Sequence, residues 1–318
     1  MTERTDSKLA DPFFSVIIPT YNRAKSIFEA VSSVQTQTFG DFELLVIDDG
    51  STDNTREILE PVSNLDARVK YIFQENAERS AARNHGIELA KGKYICFLDS
   101  DDIYLEEHLS KFHETIVANS FPKAMILGNS LAEINGEFRK DPPYVTQTDE
   151  PIELVLKISI CSQRVCMEAS ILKKFRYDIG LRVGEDQELW SRIVPHYPII
   201  HSNQYTVVLR DLGDRTIDYQ NTDTYLANLT IRKRIIAQDK AGLIRPEWRK
   251  FALSAAYYKL AISYLKQHRI WKFYISILHS IWVDPSHFFK DKLLVIGSTI
   301  PLVKKFTEGR LPKFVSPA

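Results

Sequence analysis

Short apolar runs punctuate the first hundred residues, and two of the four end on a proline or an aspartate. They are Phe13–Pro19 (FFSVIIP), Phe42–Asp48 (FELLVID), Val69–Phe73 (VKYIF) and Lys93–Leu98 (KYICFL). Runs this short, rich in branched and aromatic residues and bounded by turn formers, predict buried strands. Between them the apolar spacing lengthens to three and four residues. Ile27, Val31 and Val34 share one face of a helix that Asn22 is placed to cap. Asp49-Gly50-Ser51-Thr52 is a turn and a helix start, followed by helix over Thr55–Leu59. Ser80–Ala90 predicts a third helix, with Gly92 just past its end as a C′ glycine. Leu105–Asn119 predicts a fourth, and Ala124–Gly128 a fifth strand.

Alternating strand and helix predicts parallel βαβ units with right-handed crossovers and helices on both faces of the sheet, an α/β fold. In such sheets ligands bind beyond the carboxyl ends of the strands. The middle stretch, 130–215, is less regular, with a loop at Asp141-Pro142-Pro143, an apolar segment at Ile152–Ile160 and a compact GEDQELW motif at Gly184–Trp190. Residues 220–318 read as mostly helical. Ala255, Leu260, Ile262, Tyr264 and Leu265 supply one apolar face, and Trp271 to Val283 another. The organisation expected is a flexible N-terminus (1–12), a catalytic domain (13–218) and a basic, aromatic helical extension (219–318).

Composition narrows the classes. The 318 residues are 44% hydrophobic and 26% charged, enough apolar content for a packed core. Lys plus Arg equals Asp plus Glu at 41 each, but the charge is unevenly spread: from Leu229 onward there are 17 Lys/Arg against 5 Asp/Glu. An acidic front and a basic tail suggest two parts with different jobs, and the acidic front disfavours nucleic acid as a partner. Cys96, Cys161 and Cys166 are sparse and form no CxxC pair, which argues against a disulfide framework or a zinc site and fits a reducing compartment. Met1 to Asp11 has no apolar signal-peptide core, and no apolar run approaches the roughly 18–20 residues that span a bilayer. The expected location is cytoplasmic, with peripheral contact on the inner face of the membrane if the tail binds lipid.

Five constellations carry candidate chemistry, and each has an ordinary structural alternative. Asp99-Ser100-Asp101-Asp102 closes the fourth strand. Carboxylates this close raise one another's pKa unless a cation joins them, and oxygen-only ligands suit a hard divalent metal that brings phosphate oxygens with it. The alternative is helix capping or plain solvation. In Asp48-Asp49-Gly50-Ser51 one carboxylate could accept from a nucleobase imide or a ribose hydroxyl; equally, Asp48 could hold a loop, Asp49 could form an Asx turn and Ser51 or Thr52 could cap the next helix. Pro19-Thr20-Tyr21-Asn22 could lay a tyrosine ring on a base, or be a plain strand–turn–helix junction. Arg79 and Arg83, with Asn84, could neutralise a diphosphate, pair with the acidic cluster or face solvent. Gly184-Glu185-Asp186 could place a general base across a cleft, or simply put acids at a helix N-terminus.

In this order and spacing, SVIIPTYNR, ELLVIDDGSTDNT, ARNHGIELAKGKYICFLDSDD and GEDQELW resemble the family 2 glycosyltransferases over roughly Phe13 to Arg215. The resemblance implies the GT-A fold, a Rossmann-like, mostly parallel sheet with helices on both faces, and an inverting transfer of a sugar from a nucleotide-diphosphate donor to a glycan or lipid-linked hydroxyl acceptor. It implies that Asp99 and Asp101 form a DxD motif, with Asp101 the direct Mn²⁺ or Mg²⁺ ligand and Asp102 assisting. Pro19, Thr20, Tyr21, Asn22 and Asp49 would line the nucleoside side of the donor site. Ser100 and Arg79 or Arg83 would lie toward the diphosphate, and Asp186 would be the base. One departure stands out. Members often carry a histidine after the base motif, whereas Val208–Gly213 has Arg210 and no histidine.

Two other classes compete. A non-catalytic sugar-nucleotide or glycan binder would not need both the DxD motif and Asp186. An aspartate-based phosphotransfer domain would place its DxD on the first strand, not the fourth. A dinucleotide oxidoreductase is disfavoured because no GxGxxG follows a strand. The aromatic tail (Trp271, Phe273, Tyr274, Trp282, Phe288, Phe289) reads as a helical cap on the catalytic domain, as an interfacial helix set on anionic lipid, or as a partner surface.

Overall fold

The computed structural model describes residues 11–134, 136–140, 150–210, 221–286 and 289–299. The chain forms two compact units, the first from Met1–Pro151 with Ile158–Arg215, the second from Ile152–Lys157 with Thr216–Ala318.

The first unit begins with the expected alternation: β1 (Phe14–Thr20), α1 (Ile27–Gln35), β2 (Phe42–Asp48), α2 (Thr55–Leu65), β3 (Val69–Phe73), α3 (Glu78–Leu89) and β4 (Tyr94–Phe97). It continues with β5 (Ile103–Tyr104), α4 (His108–Ala118), β6 (Met125–Ile134), β7 (Glu137–Lys140), and, after α5 (Pro151–Lys157), a 3₁₀ turn at Ser162–Arg164, β8 (Val165–Glu168), α6 (Ala169–Lys174), α7 (Glu185–Ile193) and β9 (Ile199–Leu209). Among the described residues the strands form one sheet in the order β3-β2-β1-β4-β8-β6-β9-β5, with β7 paired to β6.

β1, β2, β3 and β4 are mutually parallel, as their continuous apolar runs predict. Past β4 the sheet is mixed: β8 lies antiparallel to β4 and β6, while β9 runs parallel to β6 and antiparallel to β5. Phe14, Val16 and Ile18 pack with Ile27, Val31 and Val34 of α1 and with Leu109, Phe112 and Ile116 of α4 on one face. On the opposite face α3 lies so close to β1 that a Cβ on Gly86 would stand 2.5 Å from Ile17. Helices therefore cover both faces of the parallel half.

Several local expectations change. Asn22 does not cap α1; Ser26 occupies that position. Asn22 instead adopts φ +52°, and its side chain reaches the loop after β2. α2 runs past Leu59 and through Pro61 to Leu65, although an interior proline removes one helix hydrogen bond and crowds the preceding turn. Gly92 is not a left-handed C′ residue. It is needed because a Cβ there would meet the Ser15 nitrogen at 2.4 Å. Gly92→Ala is expected to cost roughly 1–3 kcal/mol through overpacking, read as a lower denaturation midpoint.

The second unit is helical: α5, α8 (Thr222–Gln238), α9 (Pro246–Lys266), α10 (Ile270–Val283) and α11 (Phe289–Ser298). The Asn221 side chain accepts from the Asp223 N–H (3.0 Å) at the start of α8, and Pro246 opens α9. Leu229, Tyr258, Ala261, Tyr264, Phe273, Ile277 and Val295 form its core. Arg245 grips the fully buried Glu153 of α5 with two hydrogen bonds, 2.6 and 2.5 Å. The Trp271–Val283 segment does not bury its tryptophans: Phe273 and Ile277 face the core, and Trp271 and Trp282 stand in solvent. No helix among the described residues is long and apolar enough to cross a membrane.

Candidate active site

The parallel strands deliver their carboxyl ends to one edge of the first unit, and the sequence-predicted residues collect there. At the end of β2, Asp48 is fully buried and holds its loop. It accepts from the Tyr71 hydroxyl (2.6 Å) and from the Ser51 N–H (2.9 Å). Burial and the Asp48 carboxylate together push the Tyr71 phenol well above its ordinary range. The neighbouring Asp49 is fixed differently. Its N–H donates to the Thr20 carbonyl (2.8 Å), and its Oδ1 accepts from Gln74 Nε2 (2.6 Å) and from the Ala77 N–H (3.0 Å). Asn22 staples the loops after β1 and β2: its N–H donates to Ser51 Oγ (2.9 Å), and its Oδ1 accepts from the Thr52 N–H (2.7 Å). Pro19 and Thr20 are buried at the end of β1, and Tyr21 projects half-exposed beside them. Thr20 Oγ1 is buried without a hydrogen-bond partner among the described residues.

The acidic cluster follows β4. One carboxylate oxygen from each of Asp99, Asp101 and Asp102 fits within a 4.8 Å group. Both oxygens of Asp99 are engaged, Oδ1 by Arg83 Nη2 (2.8 Å) and Oδ2 by Gln163 Nε2 (2.6 Å). Gln163 Nε2 also donates to Asp102 Oδ2 (2.6 Å), so one amide orients two of the three acids. Asp101 lies 3.8 Å from Arg23. Burial, then the charges of Asp99 and Asp101, push Asp102 up to about 8. Partly buried oxygen donors that repel one another in this way fit a hard divalent cation, whose charge would relieve the repulsion. Ser100 is buried within the same turn.

Gly184 takes φ +73° and opens α7, whose first turn carries Glu185 and Asp186. Asp186 Oδ1 accepts from the Ser162 hydroxyl (2.6 Å), and Oδ2 accepts from the Ser162 N–H (3.2 Å). Burial pushes Asp186 up to about 6, while Arg83 pulls it back and Glu185 adds to the rise.

Arg83 joins the two acidic groups. It is 2% exposed, on α3, with Nη2 on Asp99 and Nη1 at 3.1 Å from Glu185 and 3.6 Å from Asp186. A buried guanidinium between three carboxylates is held by the fold, since removing one partner from such a network leaves an uncompensated charge. Arg79, one turn earlier, points toward the loop before α7, donating to the Arg182 carbonyl (3.0 Å) and lying 3.7 Å from Glu185.

The periodicity of the sequence did not single out Ser162, Gln163 or Tyr177. They come from the 3₁₀ turn and the α6–α7 connection, where no apolar spacing marks them. Arg164 anchors that turn by donating twice to the Gly128 carbonyl (2.9 and 2.8 Å), and Tyr177 shares a 2.6 Å hydrogen bond with Ser162 Oγ. The segment that lacks the family's histidine still reaches the cluster. Arg210 donates its N–H to Asp102 Oδ1 (2.9 Å) and its Nε–H to the Asp101 carbonyl (2.8 Å), and its guanidinium pairs with Glu29. Asp211, Leu212 and Gly213 lie outside the described residues.

A parallel βαβ half extended by a mixed half is the GT-A fold. Residues 15–167 match the family described as Glycosyl transferase family 2. An uncharacterised glycosyltransferase of Rickettsia conorii is 46% identical over 192 residues, which is 58% of this chain and 30% of that protein, so the chain spans under a third of that relative's length. The Escherichia coli protein WfgD, named as a UDP-Glc:alpha-D-GlcNAc-diphosphoundecaprenol beta-1,3-glucosyltransferase, is 29% identical over 75% of this chain and 85% of its own. Among solved structures, the mannosyltransferase PcManGT of Pyrobaculum calidifontis, in complex with GDP-Man and Mn²⁺, shares the fold with a TM-score of 0.57 at 15% identity. That match covers 96% of this chain and 85% of the other.

Proposed function

We propose that this protein transfers a sugar from a nucleotide-diphosphate donor to a hydroxyl acceptor, with inversion, in the assembly of a surface polysaccharide or glycolipid. The observation that carries this reading is Arg83, which touches Asp99 of the acidic cluster and lies 3.6 Å from Asp186, so that the two halves of the chemistry share one site. The name of WfgD supports a nucleotide sugar as donor and a lipid-linked or glycan acceptor. The Mn²⁺ complex of PcManGT supports a divalent metal.

Asp101, with Asp99 and Asp102, would hold the Mn²⁺ or Mg²⁺ ion. When bound, the ion would offset the charge that builds on the departing diphosphate. Gln163 and Arg83 keep Asp99 oriented toward that group. Asp49, Thr20 and Tyr21, with Pro19 and Asn22 shaping their loop, form the nucleoside side of the donor site. Arg79 and Ser100 lie toward the diphosphate. Asp186 takes the proton from the attacking acceptor hydroxyl, and Ser162 fixes its carboxylate for that role. The attack is a single displacement at the anomeric carbon, so no second nucleophilic carboxylate is needed. Three free cysteines, two of them buried, suit a reducing, cytoplasmic setting.

Release of nucleoside diphosphate from a panel of sugar donors, measured against pH, tests the proposal. Asp186 works in its ionised form, and burial sets it near 6. Turnover should therefore be level above that pH and fall about tenfold per unit below it. No release with any donor in the presence of Mn²⁺ and acceptor would favour a non-catalytic binder.

A further inference from the structure

α10 is apolar on two opposite faces, and the fold buries only one of them. Phe273, Ile277 and Ser280 pack into the second unit's core. Trp271, Ile275, Leu278 and Trp282 recur at spacings of four, three and four. At about 100° per residue they fall within about 60° of arc, opposite the buried set. Their exposures are 84, 57, 59 and 83%. A helix that is hydrophobic all round is normally covered all round, and a contiguous exposed apolar stripe marks an interaction surface. On α11, Phe289 and Leu293, four residues apart, are also exposed.

The chemistry of the stripe and its surroundings selects the occupant. Indoles stand at both ends, the side chain best suited to the level of lipid headgroups, with aliphatic residues between them. From Lys266 to Leu293 the exposed Lys and Arg residues are Lys266, Arg269, Lys272 and Lys290, with Lys292 buried, against two acids, Asp284 and Asp291. Those cations complement an anionic surface, whereas a second copy of the chain would bring like charge to the same place. At 14 residues, α10 is too short to span a bilayer, and it can lie only in the interface.

We propose that the Trp271–Ile275–Leu278–Trp282 face of α10 seats the protein on an anionic lipid bilayer, with the basic residues around it on the headgroups. This goes beyond the transfer reaction and does not rest on it. The test is co-sedimentation of the full chain with vesicles of phosphatidylcholine, with and without phosphatidylglycerol, together with the solution mass by analytical ultracentrifugation. The wild type should bind the phosphatidylglycerol vesicles, and more weakly at high salt. Trp271→Ser combined with Trp282→Ser should weaken the partition by at least about tenfold, as expected on removing two interfacial anchors. Because both side chains are exposed, the thermal unfolding midpoint of this variant should match the wild type. Asp186→Asn should partition as the wild type does, which separates this proposal from the catalytic one. Absence of wild-type binding, or equal binding by the double variant, would overturn it. So would a wild-type dimer that the double variant dissociates without loss of vesicle binding.

Discussion

Asp186→Asn is expected to lower turnover by roughly 10²–10⁴-fold, the usual cost of losing a general base, and to leave donor binding nearly intact. The substitution keeps the shape of the side chain, and its remaining oxygen can still accept from the Ser162 N–H. What it removes is the carboxylate proposed to receive the acceptor's proton. The fall in activity below about pH 6 assigned to Asp186 should vanish from the residual rate. Initial rates of nucleoside diphosphate release, paired with calorimetric titration of the nucleotide, separate the two effects. Turnover of the variant at the wild-type rate would remove Asp186 from the role of base.

Asp101→Ala is expected to abolish the metal-dependent part of nucleotide binding. Asp99 and Asp102, oriented by Arg83, Gln163 and the Arg210 N–H, stay in place, but the site loses the carboxylate assigned as the direct ligand. Uridine, guanosine and thymidine diphosphates, titrated with and without Mn²⁺, give the measurement. In the wild type, the preferred nucleotide should bind more tightly with the metal, and chelation should cancel the gain. In the variant, affinity should be low and indifferent to Mn²⁺. A metal-dependent gain that survives Asp101→Ala would move the cation elsewhere.

The parallel half of the fold was legible because its strands are buried on both faces. Runs such as FSVIIP and FELLVID are apolar without interruption, and each ends at a turn former. The mixed half was legible only at the start of β6, which the fifth strand expected at Ala124–Gly128 overlaps. β6 passes Gly128 with an irregular register, and β9 carries His201, Ser202, Asn203 and Gln204 in mid-strand, so neither shows a clean run or alternation. The gathering of Asp99, Asp101 and Asp102 was legible from their spacing after β4, and the helix start at Asp186 from the Gly184-Glu185-Asp186 motif. Arg83 stood among the alternatives as a solvated helix residue, and only the fold buries it. Ser162 and Gln163 gave no signal, because their roles depend on a turn held by Arg164 against β6. The extension was read as helical from its apolar faces, but the sequence alone could not say which face of α10 the core would leave exposed.

A crystal structure of the full chain with its preferred nucleoside diphosphate and Mn²⁺, with anomalous scattering collected at the manganese edge, tests the shared site most directly. The expected result is a manganese peak on the Asp101 carboxylate, joined to the diphosphate, with Asp186 facing the same bound nucleotide across Arg83. A peak away from Asp99, Asp101 and Asp102, or a nucleotide bound where Asp186 does not face it, would contradict the account.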